Sequence, residues 1–159
     1  MKRSHHSGFT LIEMIVTVAL VAIIASVATP LFKMQQQREK ERELKTALRD
    51  IRAAIDAYKR AGDEGRIARS LDSTGYPASL DQLVTGAVDQ RDPKGRKIYF
   101  LRRVPRDPMT RSPAVTAADS WGTRSYASEA DDPQPGADVY DVFSLSGRTG
   151  SNGIPYREW

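Results

Sequence analysis

The chain has 159 residues, a formal charge of +4 and no cysteine. This length fits one domain of ordinary size and excludes a second large one. The absence of cysteine excludes disulfides, thiolate metal sites and cysteine nucleophiles.

Both histidines, His5 and His6, lie within the first eight residues. If that segment is removed, the chain loses the commonest metal ligand and the commonest general base at neutral pH. The loss of Lys2 and Arg3 would also lower the formal charge from +4 to +2, which is no basis for nucleic-acid binding. No glycine loop of the phosphate-binding type is present. We therefore expect no enzyme, no cofactor and no nucleic-acid partner.

The first structural element is an apolar run from Phe9 to Ala28, in which Glu13 is the single ionisable residue. As a helix, a run of this length spans about 30 Å, the thickness of a hydrocarbon core. Two interpretations compete. One is a secretory signal cleaved after the small residues 26–28, and the other is a membrane anchor that is retained.

Glu13 favours the retained anchor. A carboxylate deep in an apolar run costs about 2 to 3 kcal/mol on insertion, and a signal that is discarded has no evident need for it. The alternative is a glutamate that is protonated or that reaches the membrane interface.

The segment Gly8–Met14, which follows a short basic leader and opens the apolar run, resembles the leader of type IV prepilins and pseudopilins. The resemblance implies that a prepilin peptidase cleaves between Gly8 and Phe9 and methylates the new amino group. It also implies that Glu13 pairs with the terminal amine of Phe9 in a neighbouring subunit, so that two charges are neutralised in apolar surroundings.

Pro30 is expected to kink or interrupt the helix, which should then resume through Gln35–Arg60, a stretch without glycine or proline. The alternating charges of Arg38–Glu43 are interpreted as a solvated face, with contact to neighbouring subunits in a filament as the alternative. Further along, apolar residues recur with the period of a helix that buries one stripe. These residues are Leu44, Ala47, Leu48, Ile51, Ala54, Ile55 and Tyr58.

Gly62 and Gly65 should end this helix, and Ser79 should cap a short helix that ends before Gly86. Three strand candidates follow, each bounded by turn residues. They are Ile98–Val104, Thr123–Ser128 and Val139–Leu145. A helix followed by strands predicts an α+β fold with a small antiparallel sheet.

The order of these segments is similar to that of the major pseudopilin of type II secretion systems, and the cysteine pair of the adhesive pilins is missing. The segments that carry the likeness are 76–83, 104–108, 121–122 and 142–159. The resemblance implies a type IV pilin-like fold with a leader over 1–8 and a transmembrane and polymerisation helix over 9–29. An amphipathic helix over 30–62 and a globular α+β region over 63–159 would follow.

Major pseudopilins commonly bind calcium through acids in a C-terminal loop, but here Ser144 and Leu145 lead into residues 146–153, which include Arg148 and no acid. Calcium prefers several anionic oxygens, so we expect no metal site, and the acids Asp138, Asp141 and Glu158 are interpreted as solvated turn residues. Aromatic and apolar anchors should hold the segment instead: Tyr140, Phe143, Ile154, Pro155, Tyr156 and Trp159.

Three functions follow as hypotheses. The chain is a pseudopilin that polymerises into the periplasmic pseudopilus of a type II secretion system, a type IV pilin or minor pilin of a surface filament, or a membrane-tethered periplasmic binding domain. The first implies a single-pass inner-membrane protein with its C-terminal domain in the periplasm. Its partners would be copies of itself, other pseudopilins, the prepilin peptidase and the inner-membrane secretion platform.

Overall fold

The computed structural model describes residues 9–70, 72–110, 112 and 115–159. The chain divides into two units, Met1–Glu39 and Lys40–Trp159. One long helix, α1, runs from Leu11 to Asp63 and contributes to both.

The backbone of α1 is helical through position 30. The predicted interruption at Pro30 is therefore wrong, whereas a kink at this residue stays a prediction. Proline removes one backbone donor and crowds the preceding turn, but strong helix formers follow it along Gln35–Arg60. The helical turns on either side outweigh that local cost.

The predicted end of α1 is confirmed. The last helical residue is Asp63, and Gly65 follows with a φ of 66°. The N–H groups of Gly65 and Arg66 donate to the carbonyl oxygens of Gly62 and Ala61 at 3.0 and 2.8 Å, which closes the last turn. A left-handed residue after the last turn is the usual way for a helix to end, and glycine adopts it without strain.

The predicted apolar stripe of α1 is confirmed, since all seven of its residues are buried. The stripe belongs to one core cluster that also includes buried residues from later parts of the chain. These are Ile67, Leu80, Leu83, Val104, Met109, Trp121, Val139, Val142 and Tyr156. The core of the C-terminal unit therefore lies along one face of α1 between Leu44 and Tyr58.

The second helix, α2, spans Leu80–Thr85 and ends at Gly86, as predicted. Ser79 occupies the N-cap position, but its side chain makes no capping hydrogen bond. The Gln82 Oε1 atom instead accepts from the N–H of Ala78 at 2.9 Å. Gly86 has a φ of 72°, and a Cβ there would lie 2.5 Å from the Ile98 carbonyl oxygen, so the backbone approaches this position too closely for any side chain.

Within the described residues, four short strands form two antiparallel pairs, β1 with β2 and β3 with β4. Their bounds are Ala87–Val88 (β1), Lys97–Ile98 (β2), Trp121–Arg124 (β3) and Asp141–Ser144 (β4). Trp121 faces Ser144, and Arg124 faces Asp141 across the second pair. The α+β class with small antiparallel sheets is confirmed.

The predicted strand bounds need correction. Residues 99–104 are not a strand, because the N–H groups of Phe100 and Leu101 both donate to the Leu83 carbonyl oxygen at the end of α2. Residues 125–128 form a turn in which the Ser125 N–H donates to the Gln134 carbonyl oxygen. β3 therefore begins and ends earlier than predicted, and the pair β1–β2 was not predicted at all.

Candidate functional site

The N-terminus of α1 positions Glu13. Thr10 precedes the first helical residue, and the Glu13 N–H donates to the Thr10 Oγ1 at 3.3 Å. The Glu13 carboxylate reaches back to the Thr10 N–H at 3.5 Å. This reciprocal arrangement is a capping box. It places the carboxylate one residue from Phe9, while Gly8 lies outside the described residues.

A reciprocal cap has a readable pattern, Thr or Ser followed three residues later by Glu or Gln. Thr10 and Glu13 match it, whereas the prediction for Glu13 rested on its charge alone. Within one copy the carboxylate therefore has a helix-capping task besides the predicted pairing with an amine.

The first turns of α1 present an apolar surface on all sides. Residues 9–26 are all exposed, and Phe9 has an exposed fraction of 80%. In the part of the chain that the structure describes, α1 is the one helix long and apolar enough to cross a membrane. A helix that is apolar all round requires lipid or other apolar helices around it. Length and composition alone do not separate an anchor from a secretory signal.

In the C-terminal unit, Glu41 of α1 holds the loop that follows β4. Its side chain is buried, with 6% exposed. The Glu41 Oε1 atom accepts from the Ser151 N–H and from the Tyr156 hydroxyl, both at 2.9 Å. Its Oε2 atom accepts from the Ser151 hydroxyl at 2.5 Å. Hydrogen bonds to a charged carboxylate are stronger than those between neutral groups, so Glu41 fixes the loop in place.

The burial of Glu41 corrects the interpretation of residues 38–43 as a solvated face at that one position, since the other five residues are exposed. At 100° per residue, Glu41 lies close in angle to Leu44 and Leu48, at the edge of the buried stripe. This position on the helix indicates that Glu41 is buried. The alternating charges around it suggested an exposed segment instead.

Arg52 forms a second link between α1 and the end of the chain. Its Nε donates to Asp141 Oδ1 at 2.7 Å. Its second terminal nitrogen donates to the carbonyl oxygens of Val142 and Trp159, at 3.1 and 2.9 Å. One guanidinium thus joins β4 and the last residue to α1, as its several donors in a fixed plane allow.

The predicted anchors of this segment differ in burial. Tyr156 is fully buried, whereas Phe143, Pro155 and Trp159 are half-buried. Ile154 is exposed, which corrects its assignment as an anchor, whereas the partly exposed Tyr140 ring packs against Tyr76 and Tyr126. Trp159 packs edge-on against Tyr156 with ring centroids 5.0 Å apart. Glu41 and Tyr156, rather than the apolar residues alone, hold the loop.

The three acids considered as calcium ligands, Asp138, Asp141 and Glu158, lie in different places. Asp138 is buried and accepts from the Thr74 and Ser125 hydroxyls and from the Tyr126 N–H. Burial alone would raise the pKa of Asp138, but the hydrogen bonds from Thr74, Tyr126 and Ser125 together hold that pKa below its usual value. Asp138 is therefore no solvated turn acid.

Asp141 pairs with Arg52, and Glu158 is exposed on a short 3-10 helix, Tyr156–Glu158. Among the described residues, no three His, Cys, Asp or Glu side chains form a metal-binding group. The structure thus engages Asp138 and Asp141 in separate contacts and does not bring the three acids together.

Residues 3–29 match the family model of the prokaryotic N-terminal methylation motif. The chain is 30% identical over 143 residues to the type II secretion system core protein G of Pseudomonas aeruginosa. The matched region covers 87% of this chain and 93% of that protein.

Two further relatives differ in how much of the chain they match. The core protein G of Vibrio cholerae is 27% identical over 158 residues, 96% of this chain and 89% of that protein. The type IV major pilin protein PilA of Myxococcus xanthus is 45% identical, but over only 51 residues, 32% of this chain and 23% of that protein. No solved structure matches the chain.

Three observations agree with one another. They are the methylation motif at the start of α1, the α+β unit that follows it, and the similarity along most of both chains. The chain belongs to the family of the type II secretion system core protein G, the major pseudopilin.

Proposed function

We propose that this chain is the pseudopilin subunit that polymerises into the periplasmic pseudopilus of a type II secretion system and so drives protein export. The observation that carries the proposal is the similarity to core protein G along 87% of the chain and 93% of the relative. The exposed apolar surface of residues 9–26 supports it, because a subunit with such a surface needs lipid before assembly and neighbouring helices after it.

In this proposal the protein begins as a single-pass inner-membrane protein with residues 40–159 in the periplasm. A prepilin peptidase cleaves after Gly8 and methylates Phe9. Subunits are then drawn from the membrane by the secretion platform and join copies of the same chain and other pseudopilins. The role of the chain is structural, and its chemistry is the pairing of Glu13 with a terminal amine inside an apolar filament core.

The processing step leads to a direct prediction. The mass of the intact chain extracted from membranes should correspond to residues 9–159 with one methyl group on Phe9. Replacing Gly8 by a bulky residue such as leucine should leave the leader in place, because the peptidase must accommodate an extended backbone there. A chain that begins after Ala28 would contradict the proposal, since it would mean an ordinary secretory signal.

We further propose that the C-terminal loop needs no metal, because Glu41 supplies the negative charge that orders it from within the protein. The thermal midpoint of the C-terminal unit should then change little between excess calcium and excess chelator, and a bound ion would raise it. A clear rise with calcium would show that Asp138, Asp141 or backbone carbonyls form a site.

The surface-filament alternative has one observation in its favour, the 45% identity to a type IV major pilin. That match covers 32% of this chain. The similarity to core protein G extends to most of the chain, so the pseudopilin function explains more of the sequence.

A further inference from the structure

Four cations form a stripe on the C-terminal unit's part of α1. Arg42, Lys45, Arg49 and Arg52 are spaced by three, four and three residues, which places them within an arc of about 80° on the helix. Arg42, Lys45 and Arg49 are exposed, whereas Arg52 is half-buried and paired with Asp141. We call these four residues the basic stripe.

A groove of about 500 Å³ lies beside the basic stripe. Its apolar lining comes from Leu48, Ile154 and Trp159, and Lys45 lies over the Trp159 ring at 4.6 Å from its centroid. Glu158 is the one acid among the described residues that line it. The groove therefore combines a small apolar surface with an excess of positive charge.

The opposite charge is concentrated in a loop between β3 and β4. Residues 125–138 contain four acids and no lysine or arginine. Three of the four, Glu129, Asp131 and Asp132, are exposed. The loop has a defined shape, because the Gln134 backbone N–H donates to the Ser128 hydroxyl and the Gln134 side chain donates to Asp132. We call residues 129–132 the acidic loop.

The acidic loop begins near the other end of the same unit. Just before it, the Tyr126 ring stacks on Tyr76 with centroids 5.6 Å apart, and Lys59 lies 5.8 Å from the centroid of Tyr76. Lys59 is 14 residues beyond Lys45 along α1, a rise of about 21 Å. The two oppositely charged surfaces are therefore attached at different levels along the helix axis.

We propose that the acidic loop of one copy docks on the basic stripe and groove of the next copy. Two different surfaces at different levels make a heterologous contact, which repeats without closing and builds an open helical filament. This inference rests on the proposed function, because it requires copies that follow one another in the same direction.

The charges would set the register and the rate of assembly more than its affinity. Exposed ion pairs contribute little each, and salt screens them. Complementary patches nevertheless steer encounter and disfavour wrong alignments, in which like charges meet. The packing of the apolar helices supplies the bulk of the cohesion.

Because the chain contains no cysteine, an introduced cysteine is its one thiol, and a cross-link identifies the two positions that meet. Full-length Arg49→Cys and Asp131→Cys chains are produced together with the assembly machinery, and filaments are treated with a short bismaleimide. A cross-linked dimer is expected when both variants are present. Asp50→Cys serves as the matched control, because it is adjacent in sequence but turned by about 100° around α1. No dimer, or an equal yield with the control, would overturn the inference.

Charge exchange gives an independent test with the complete chain. Changing Lys45 and Arg49 to glutamate, or Glu129, Asp131 and Asp132 to lysine, should each lower filament yield by about fivefold or more, since one exposed pair changes an equilibrium by up to about fivefold. Mixing the two variants should recover yield, because every contact between one variant and the other then joins opposite charges. No recovery would contradict the docking.

The two proposals fail in distinguishable ways. Filaments that form from the wild-type chain but show no Arg49–Asp131 cross-link would refute the docking and leave the pseudopilin function intact. A wild-type chain that is processed but never assembles would contradict the function, and the docking with it.

Discussion

Replacing Glu13 by alanine should abolish filament assembly while the chain remains in the membrane. The carboxylate costs about 2 to 3 kcal/mol on insertion into the apolar run, so its removal does not impair insertion. Without it, the amine of Phe9 in a neighbouring subunit has no counter-charge, and an unpaired charge in an apolar core is strongly destabilising. The measurement is the amount of the chain in sheared filaments relative to the amount in membranes.

The capping box supplies the control for this experiment. Glu13→Gln retains an oxygen that can accept from the Thr10 N–H but carries no charge. Thr10→Ala removes the reciprocal bond to the Glu13 N–H and leaves the carboxylate. We expect the glutamine variant to fail and the alanine variant at position 10 to assemble. Assembly of the glutamine variant at the wild-type level would reduce Glu13 to a helix cap.

Truncating Tyr156 to alanine should strongly destabilise the C-terminal unit. Its side chain is fully buried against the core and bonded to Glu41. Loss of a buried aromatic ring costs about 3 to 5 kcal/mol, which lowers the thermal midpoint of a unit of this size by about 10 °C or more. Thermal unfolding of a soluble fragment that begins at Gln35 measures the effect.

Related variants separate the ring from its hydroxyl group. Tyr156→Phe keeps the ring and removes one donor to Glu41, which retains its two bonds to Ser151, so we expect a loss of about 1 to 2 kcal/mol. Trp159→Ala should lower the midpoint less than Tyr156→Ala, because Trp159 is only half-buried. Equal midpoints for Tyr156→Ala and the wild type would show that Tyr156 does not hold the loop that follows β4.

The sequence predicted α1 and its buried face well, for a physical reason. Helical periodicity is a local property, and the apolar residues from Leu44 to Tyr58 repeat over four turns with no glycine or proline between them. Gly65 and Gly86 likewise mark the ends of helices through their own backbone preferences.

The strands could not be predicted in the same way. Each has two to four residues, too few for alternation to be distinct. Whether Phe100 pairs with a strand or with the end of α2 depends on the Leu83 carbonyl, which lies 17 positions earlier in the sequence. Tertiary contacts of this kind decide strand bounds in small sheets.

The candidate site likewise has one part that the sequence predicts and one part that it does not. Phe9 and Glu13 follow from a contiguous motif, and the charge of Glu13 stands out in its apolar surroundings. The contacts of Glu41 with Ser151 and of Arg52 with Asp141 join residues about a hundred positions apart. No local pattern connects such pairs, so the sequence can place Glu41 at the edge of the buried stripe but cannot show which loop its carboxylate contacts.

The central claim is that this chain builds the filament of a type II secretion system, and deletion of its gene in the organism of origin tests that claim most directly. We predict that proteins normally found in the medium accumulate in the periplasm of the deletion strain. The wild-type gene should restore their release, and the Glu13→Ala gene should not. Unchanged secretion together with the loss of surface pili would contradict the account and assign the chain to a type IV pilus.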